Sequence, residues 1–158
     1  MKKRILFVCL GNICRSPAAQ GIMQNLLEKE NLQDRFEVDS AGLYGGHAGD
    51  LPDHRMRLHA RRRGYILDHI SRPVKTTDFE DFDLIIAMDN SNYDRLISLA
   101  PSLEAEQKIV RMIEFVNGFP QYHFVPDPYY EGAEGFEIVL DLLEDGCRNL
   151  LEELKSIK

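Results

Sequence analysis

The run Arg4-Ile5-Leu6-Phe7-Val8 is apolar without alternation and stops at Cys9-Leu10-Gly11-Asn12. A strand with one wet face alternates apolar and polar residues, whereas a strand covered on both faces reads as one continuous apolar run. The segment therefore belongs in a parallel sheet with helices packed on either side. Five residues separate Cys9 from Arg15, and Ser16-Pro17 follows. Serine suits a helix N-cap and proline the first turn, where a missing N–H is harmless. Ala19, Ile22, Met23, Leu26 and Leu27 then recur at helical spacing and supply one buried face.

The rest of the chain repeats this alternation. Phe36–Ala41 reads as a second strand and the glycine-rich stretch through Pro52 as a loop. A helix is expected from about Asp53 to Arg63, ending at Gly64. Asp83–Met88 is the third strand, with a polar helix start at Asp89-Asn90-Ser91, and Lys108–Met112 is the fourth. Phe136, Val139, Leu140, Leu143, Cys147, Leu150, Leu151 and Leu154 form the apolar stripe of a final helix. Strands alternating with helices imply an α/β sandwich with a parallel sheet and right-handed crossovers. Its 158 residues suit one domain, 1–158, with no linker or repeat.

Ligands of such sheets bind beyond the carboxyl ends of the strands. Cys9, Ser40 and the Met88-Asp89 pair all fall at that edge. Between Cys9 and Arg15 the backbone of Leu10, Gly11, Asn12, Ile13 and Cys14 can curl into a cradle of inward N–H groups closed by a helix N-terminus, which is an anion site. Gly11 and Asn12 are suited to left-handed backbone in so tight a loop. Arg15 adds a planar fork for two phosphoryl oxygens. The same dipoles favour thiolate over thiol at Cys9 and make it a nucleophile, and the Ser16 hydroxyl can donate to that sulfur. A leaving alkoxide or phenoxide then needs a proton, for which Asp127 in Val125-Pro126-Asp127-Pro128-Tyr129-Tyr130 is the candidate. Tyr129 and Tyr130 either flank an aromatic substrate ring or pack across their own loop. Asp89, after a strand end, can orient the loop that follows Cys9 or the Asp127 loop, but capping of the next helix explains it as well and it is left outside the site; Cys147 is read as a small buried hydrophobe.

A net charge of −7 argues against nucleic acid or an anionic membrane as partner, because both require a basic surface. Arg61-Arg62-Arg63, with Arg55 and Arg57, could attract an anion but is read as a solvated helix face and end. The short N-terminal apolar run fits neither a signal peptide nor a membrane span, and the three cysteines read as thiols, so the expected location is the cytoplasm.

Cys9-Leu-Gly-Asn-Ile-Cys-Arg15-Ser16-Pro17 and Asp127-Pro128-Tyr129-Tyr130 resemble the C-x5-R-S signature loop and the general-acid loop of the low-molecular-weight protein tyrosine phosphatase family. Asp39-Ser40-Ala41, Ala87-Met88-Asp89 and the length fit as well, so the resemblance covers nearly the whole chain. It implies a three-layer, Rossmann-like sandwich around a four-stranded parallel sheet. It also implies hydrolysis of phosphotyrosine monoesters through a phosphocysteine, with Cys9 as nucleophile, Arg15 as phosphate ligand and Asp127 first as acid and then as base.

The resemblance further implies that Asn12, Ser16, Ser40 and His69 form a hydrogen-bond network under the loop, and that Tyr129 and Tyr130 form the substrate wall. Gln20 stands where many relatives carry glutamate. No metal or cofactor is called for, since the cradle neutralises the phosphate. Phosphotyrosine proteins are the expected partners, and in a bacterial setting an autophosphorylating tyrosine kinase comes first. Cys14, so close to Cys9, is expected to form a reversible disulfide with it under peroxide.

Three rivals compete with this reading. Arsenate reduction would need Cys147 as an electron-accepting thiol. Arginine phosphatases tend to carry threonine at the place of Ile13. A noncatalytic phosphotyrosine-binding module would have lost Cys9 or Asp127.

Overall fold

A computed structural model describes residues 2–128 and 132–157. Its centre is a parallel four-stranded sheet of β1 (Lys3–Cys9), β2 (Phe36–Gly42), β3 (Leu84–Ala87) and β4 (Ile109–Arg111), in the order β2-β1-β3-β4. Residues Ile5 to Val8 of β1 are buried on both faces, which is why that run does not alternate.

On one face, Ile5, Phe7 and Cys9 pack with α1 (Arg15–Lys29), α2 (His54–Arg62) and α6 (Ala133–Lys155). On the other, Leu6 and Val8 meet the layer built from α3 (Asp78–Asp81), α4 (Asn90–Leu99) and α5 (Leu103–Gln107), through Phe79, Leu96 and Ala105. Because β1 pairs with β2 on one side and β3 on the other, the strand order reverses at its carboxyl end. A crevice opens at such a point, and Cys9 lies there beside Met88-Asp89.

Local signals account for both ends of α2. Asp53 caps α2 by accepting from the N–H groups of Arg55 and Met56 at 2.8 and 3.4 Å, and Gly64, at φ +94°, lets the chain turn away after it. Cys147 is fully buried in the α6 stripe, and burial pushes its thiol pKa up.

Two expectations are corrected. Ser16 does not cap α1: the cap position is Cys14, without a side-chain bond, and the Ser16 hydroxyl lies against the Cys9 sulfur inside the loop. Arg63 is not a solvated helix end. It is half-buried and reaches Glu137, Asp141 and Glu144 of α6 at 2.7, 2.9 and 2.7 Å, fastening the α2 end to the long helix. Burial works against its charge, and these carboxylates more than offset that, raising its pKa.

Candidate active site

In the loop from Cys9 to Arg15, the carbonyls of Cys9, Leu10, Asn12, Ile13 and Cys14 are turned outward. Those of Cys9 and Leu10 accept from Leu43 and Tyr44 N–H at 3.1 and 2.7 Å. That of Asn12 accepts from the Ser71 hydroxyl at 2.5 Å, that of Ile13 from Asp53 N–H at 2.7 Å and that of Cys14 from Ala18 N–H at 3.2 Å. In a trans peptide the N–H of the next residue points opposite to the carbonyl. The amides of Leu10, Gly11, Ile13, Cys14 and Arg15 are thereby aimed to the inner side, as the cradle requires. The Asn12 amide differs and donates to the Cys9 sulfur at 3.3 Å.

Asn12 takes the left-handed conformation, with φ 56°, but Gly11 does not. The requirement at Gly11 is room: a Cβ there would stand 3.3 Å from the His47 ring. Gly42 is more constrained, since a Cβ would come within 2.9 Å of the Asn12 Cβ and 3.0 Å of the Leu10 carbonyl oxygen.

Beneath the loop, hydrogen bonding orients each polar group. Arg72 N–H donates to Asn12 Oδ1 at 3.0 Å, which fixes the amide so that Nδ2 donates to Ser16 Oγ at 2.8 Å and Ser40 Oγ at 3.0 Å. Ser40 passes its own proton to Gln20 Oε1 at 2.6 Å. Ser16, already an acceptor, has its proton free for Cys9 Sγ at 3.0 Å. His69 Nε2 lies 3.2 Å from Asn12 Oδ1, an atom that only accepts, so Nε2 carries the hydrogen. Burial lowers the His69 pKa, with Asp39 partly opposing and Arg72 reinforcing the effect. Gln20 accepts just as a carboxylate would, so the amide serves this network without adding charge.

Arg15 is 3 % exposed and spans the crevice between β1 and β3. Its Nη1 donates to Asp89 Oδ2 at 2.7 Å and to the Val125 carbonyl at 3.0 Å, and its Nη2 lies 3.6 Å from Asp127 Oδ2. Burial opposes the charge, but the Cys9 sulfur, Asp89 and Asp127 outweigh it and raise the guanidinium pKa. Asp89, set aside in the sequence reading, is thus shared: Oδ1 caps α4 through Asn92 N–H at 2.8 Å while Oδ2 holds Arg15.

The sheet edge brings Cys9, Leu10, Gly11, Ile13, Cys14, Arg15 and Asp127 around one cavity of about 430 Å³, with Tyr44 and His47 completing its wall. Asn12, Ser16, Ser40 and His69 stand behind it. Tyr129 and Tyr130 lie outside the described residues. Cys9 and Cys14 are free thiols, and burial pushes the Cys14 pKa up. Cys147 does not join them, lying against the Ala19 carbonyl at 3.8 Å on the α1 side.

Gly42, Tyr44, His47, Ser71 and Arg72 also serve the site and do not stand out in the sequence. Only Gly42, adjoining the quoted Asp39-Ser40-Ala41, had a nearby sequence signal.

Residues 4–158 match the profile of the low molecular weight phosphotyrosine protein phosphatase family. The chain belongs to this family. It is 41 % identical to a low molecular weight protein-tyrosine-phosphatase of Bacillus subtilis, covering 98 % of this chain and 97 % of that one. A crystal structure of a protein tyrosine phosphatase from Entamoeba histolytica superposes with TM-score 0.95 at 46 % identity, covering 98 % of both chains. A Drosophila arginine phosphatase structure also superposes, with TM-score 0.90 at 36 % identity over the full length of both chains.

Proposed function

We propose that residues 1–158 form one catalytic domain, a cysteine-dependent protein tyrosine phosphatase in which Cys9 is the nucleophile, Arg15 the phosphate ligand and Asp127 the general acid and base. The observation that carries this is the sulfur of Cys9 held between the Asn12 N–H and the Ser16 hydroxyl, with Arg15 and Asp127 lining the same cavity.

The inward amides and Arg15 bind the three non-bridging oxygens of the phosphate. The Cys9 thiolate attacks phosphorus. As the S–P bond forms, the bond to the phenolic oxygen breaks, its electron pair leaves with that oxygen, and Asp127 supplies the proton. Water then attacks the phosphocysteine and gives its proton to the Asp127 carboxylate. The S–P bond breaks and returns the thiolate to its two donors, Ser16 and Asn12. Asp89 acts through Arg15 as a positioning residue.

Acid-quenched enzyme turning over an aryl phosphate is expected to carry phosphate on Cys9 by peptide mass spectrometry. Turnover with no phosphorylated Cys9, or with phosphate located elsewhere, would overturn the assignment. This chemistry needs a reduced thiol, so the reading puts the enzyme in the cytoplasm. Its substrates are phosphotyrosine proteins, in a bacterial setting an autophosphorylating tyrosine kinase first among them, and a pull-down with Cys9→Ser identifies which.

A second reading, phosphoarginine hydrolysis, is raised by the likeness to the Drosophila enzyme. Ile13, on the cavity wall, favours the aromatic substrate, because an aliphatic chain offers a guanidinium no acceptor. Phosphotyrosine peptides are expected to be hydrolysed faster than phosphoarginine peptides, with Ile13→Thr narrowing the gap.

A further inference from the structure

Away from the catalytic cavity, α2 and the segment that returns after Gly64 enclose an open groove of about 210 Å³. One wall is the stripe His54, Arg57, Leu58 and Arg61, spaced to share a helix face, and Tyr65-Ile66-Leu67 forms the other. Leu58 and Ile66 are 42 % and 66 % exposed. Among the described residues, no carboxylate lines the groove. Of the neighbouring acids, Asp53 pairs with Arg55 and Glu144 with Arg63 and the Tyr65 hydroxyl, while Asp68, next to Leu67, is exposed. Arg57 uses its Nε on the Pro52 carbonyl at 3.0 Å, and neither its guanidinium nor that of Arg61 meets a carboxylate among the described residues.

A basic groove on a protein of net charge −7 is a local exception to the field around it. Its near end adjoins the reaction. Asp53, the residue before His54, donates its N–H to the carbonyl of Ile13, and Ile13 lines the catalytic cavity. From His54 to Arg61 the helix rises about 10 Å, the span of about three extended residues.

On the phosphatase reading above, we propose that this groove docks an acidic segment of the phosphotyrosine protein substrate, a few residues along the chain from the phosphotyrosine held at Cys9. Carboxylates of that segment pair with Arg57 and Arg61, and an apolar side chain covers Leu58 and Ile66. The bland view of these arginines as a merely solvated face holds for Arg62, which lies outside the groove.

The test compares phosphotyrosine peptides carrying three glutamates before or after the phosphotyrosine with their glutamine counterparts, alongside an aryl phosphate. Wild-type kcat/KM is expected to favour one glutamate peptide over its counterpart by about threefold to tenfold, two exposed charge pairs each contributing modestly. Arg57→Gln with Arg61→Gln should erase that preference through KM and leave the aryl phosphate unchanged. Arg61→Gln alone, at an exposed position, should halve it in logarithmic terms, and raised salt should reproduce the effect in the wild type.

Absence of preference in the wild type, or a preference that survives the double substitution, overturns the docking site while leaving the phosphatase reading intact. A wild-type enzyme inert toward the aryl phosphate overturns the phosphatase reading and the docking site with it. A dimer in sedimentation that the double substitution dissolves would give the groove to a second copy and also overturn the proposal.

Discussion

The two halves of the proposed catalytic machinery are held in different ways. The loop from Cys9 to Ser16 is buried apart from Leu10 and Gly11, its outward carbonyls have partners, and Asn12 alone joins Ser16, Ser40, Ser71, His69 and Arg72. Asp127 comes from a stretch without regular structure and is 36 % exposed. Nearby, Val125 ties that stretch to the body twice, its N–H to the Met88 carbonyl at 2.9 Å and its carbonyl to Arg15. The contrast fits the proposed division of labour. Binding a dianion depends on donors that need no reorganisation, whereas an acid has to meet both a leaving group and, later, water.

The sharpest way to break the contrast is at its centre. Cys9→Ser is expected to abolish turnover yet keep phosphate binding, measured by aryl phosphate hydrolysis and by calorimetry with phosphate. Loss of both would mean that the sulfur itself shapes the cradle. Asp127→Asn comes next: aryl phosphate hydrolysis should fall about a hundredfold or more with phosphate affinity little changed. A similar loss of phosphate affinity would show that Asp127 acts chiefly through Arg15.

The supporting network should respond in stability more than in chemistry. Asn12→Ala strands the hydroxyls of Ser16 and Ser40 and removes the acceptor for Arg72, for a loss of about 1–3 kcal/mol in urea unfolding. An unchanged midpoint would mean that ordered water replaces the amide.

The smallest effect is a pH dependence from His69. Its folded-state pKa lies below the ordinary 6.5, so the unfolded chain takes up a proton first as pH falls. The His69 contribution is therefore fully present above about 6.5 and is lost as pH drops through the lower folded value. His69→Gln should flatten the wild-type unfolding midpoint over this window, and an unaltered slope would assign the dependence to other groups.

Much of the scaffold was legible because its signals are local. A strand buried on both faces needs a continuous apolar run, and a helix with one dry face needs a stripe, as in α6. The cysteine at a strand end, the arginine after five residues and the proline-flanked aspartate were found the same way, though His69 entered only through the family resemblance. What failed was the assignment of shared or distant partners. Ser16-Pro17 carries a cap signal that the fold does not use, and only the other expected role of the serine hydroxyl, against the Cys9 sulfur, is realised. Asp89 reads as a cap and is one, yet its second oxygen holds Arg15, 74 positions away. Arg63 reads as solvated because its carboxylates stand on a helix far along the chain.

Taken by itself, the sequence determined the four strands, α1, α2, α6 and the start of α4, and which residue types stand at the carboxyl edge of the sheet, since burial and backbone conformation leave periodic, short-range marks; the short helices α3 and α5 carry no such mark. Only the tertiary structure decided which way those residues' polar groups point. Gly42 must be bare so that β2 can pass under Asn12, and Asp89 must serve two masters at the β1–β3 crevice. Such demands come from hydrogen bonds and close approaches between segments brought together by folding, and these have no fixed spacing along the chain.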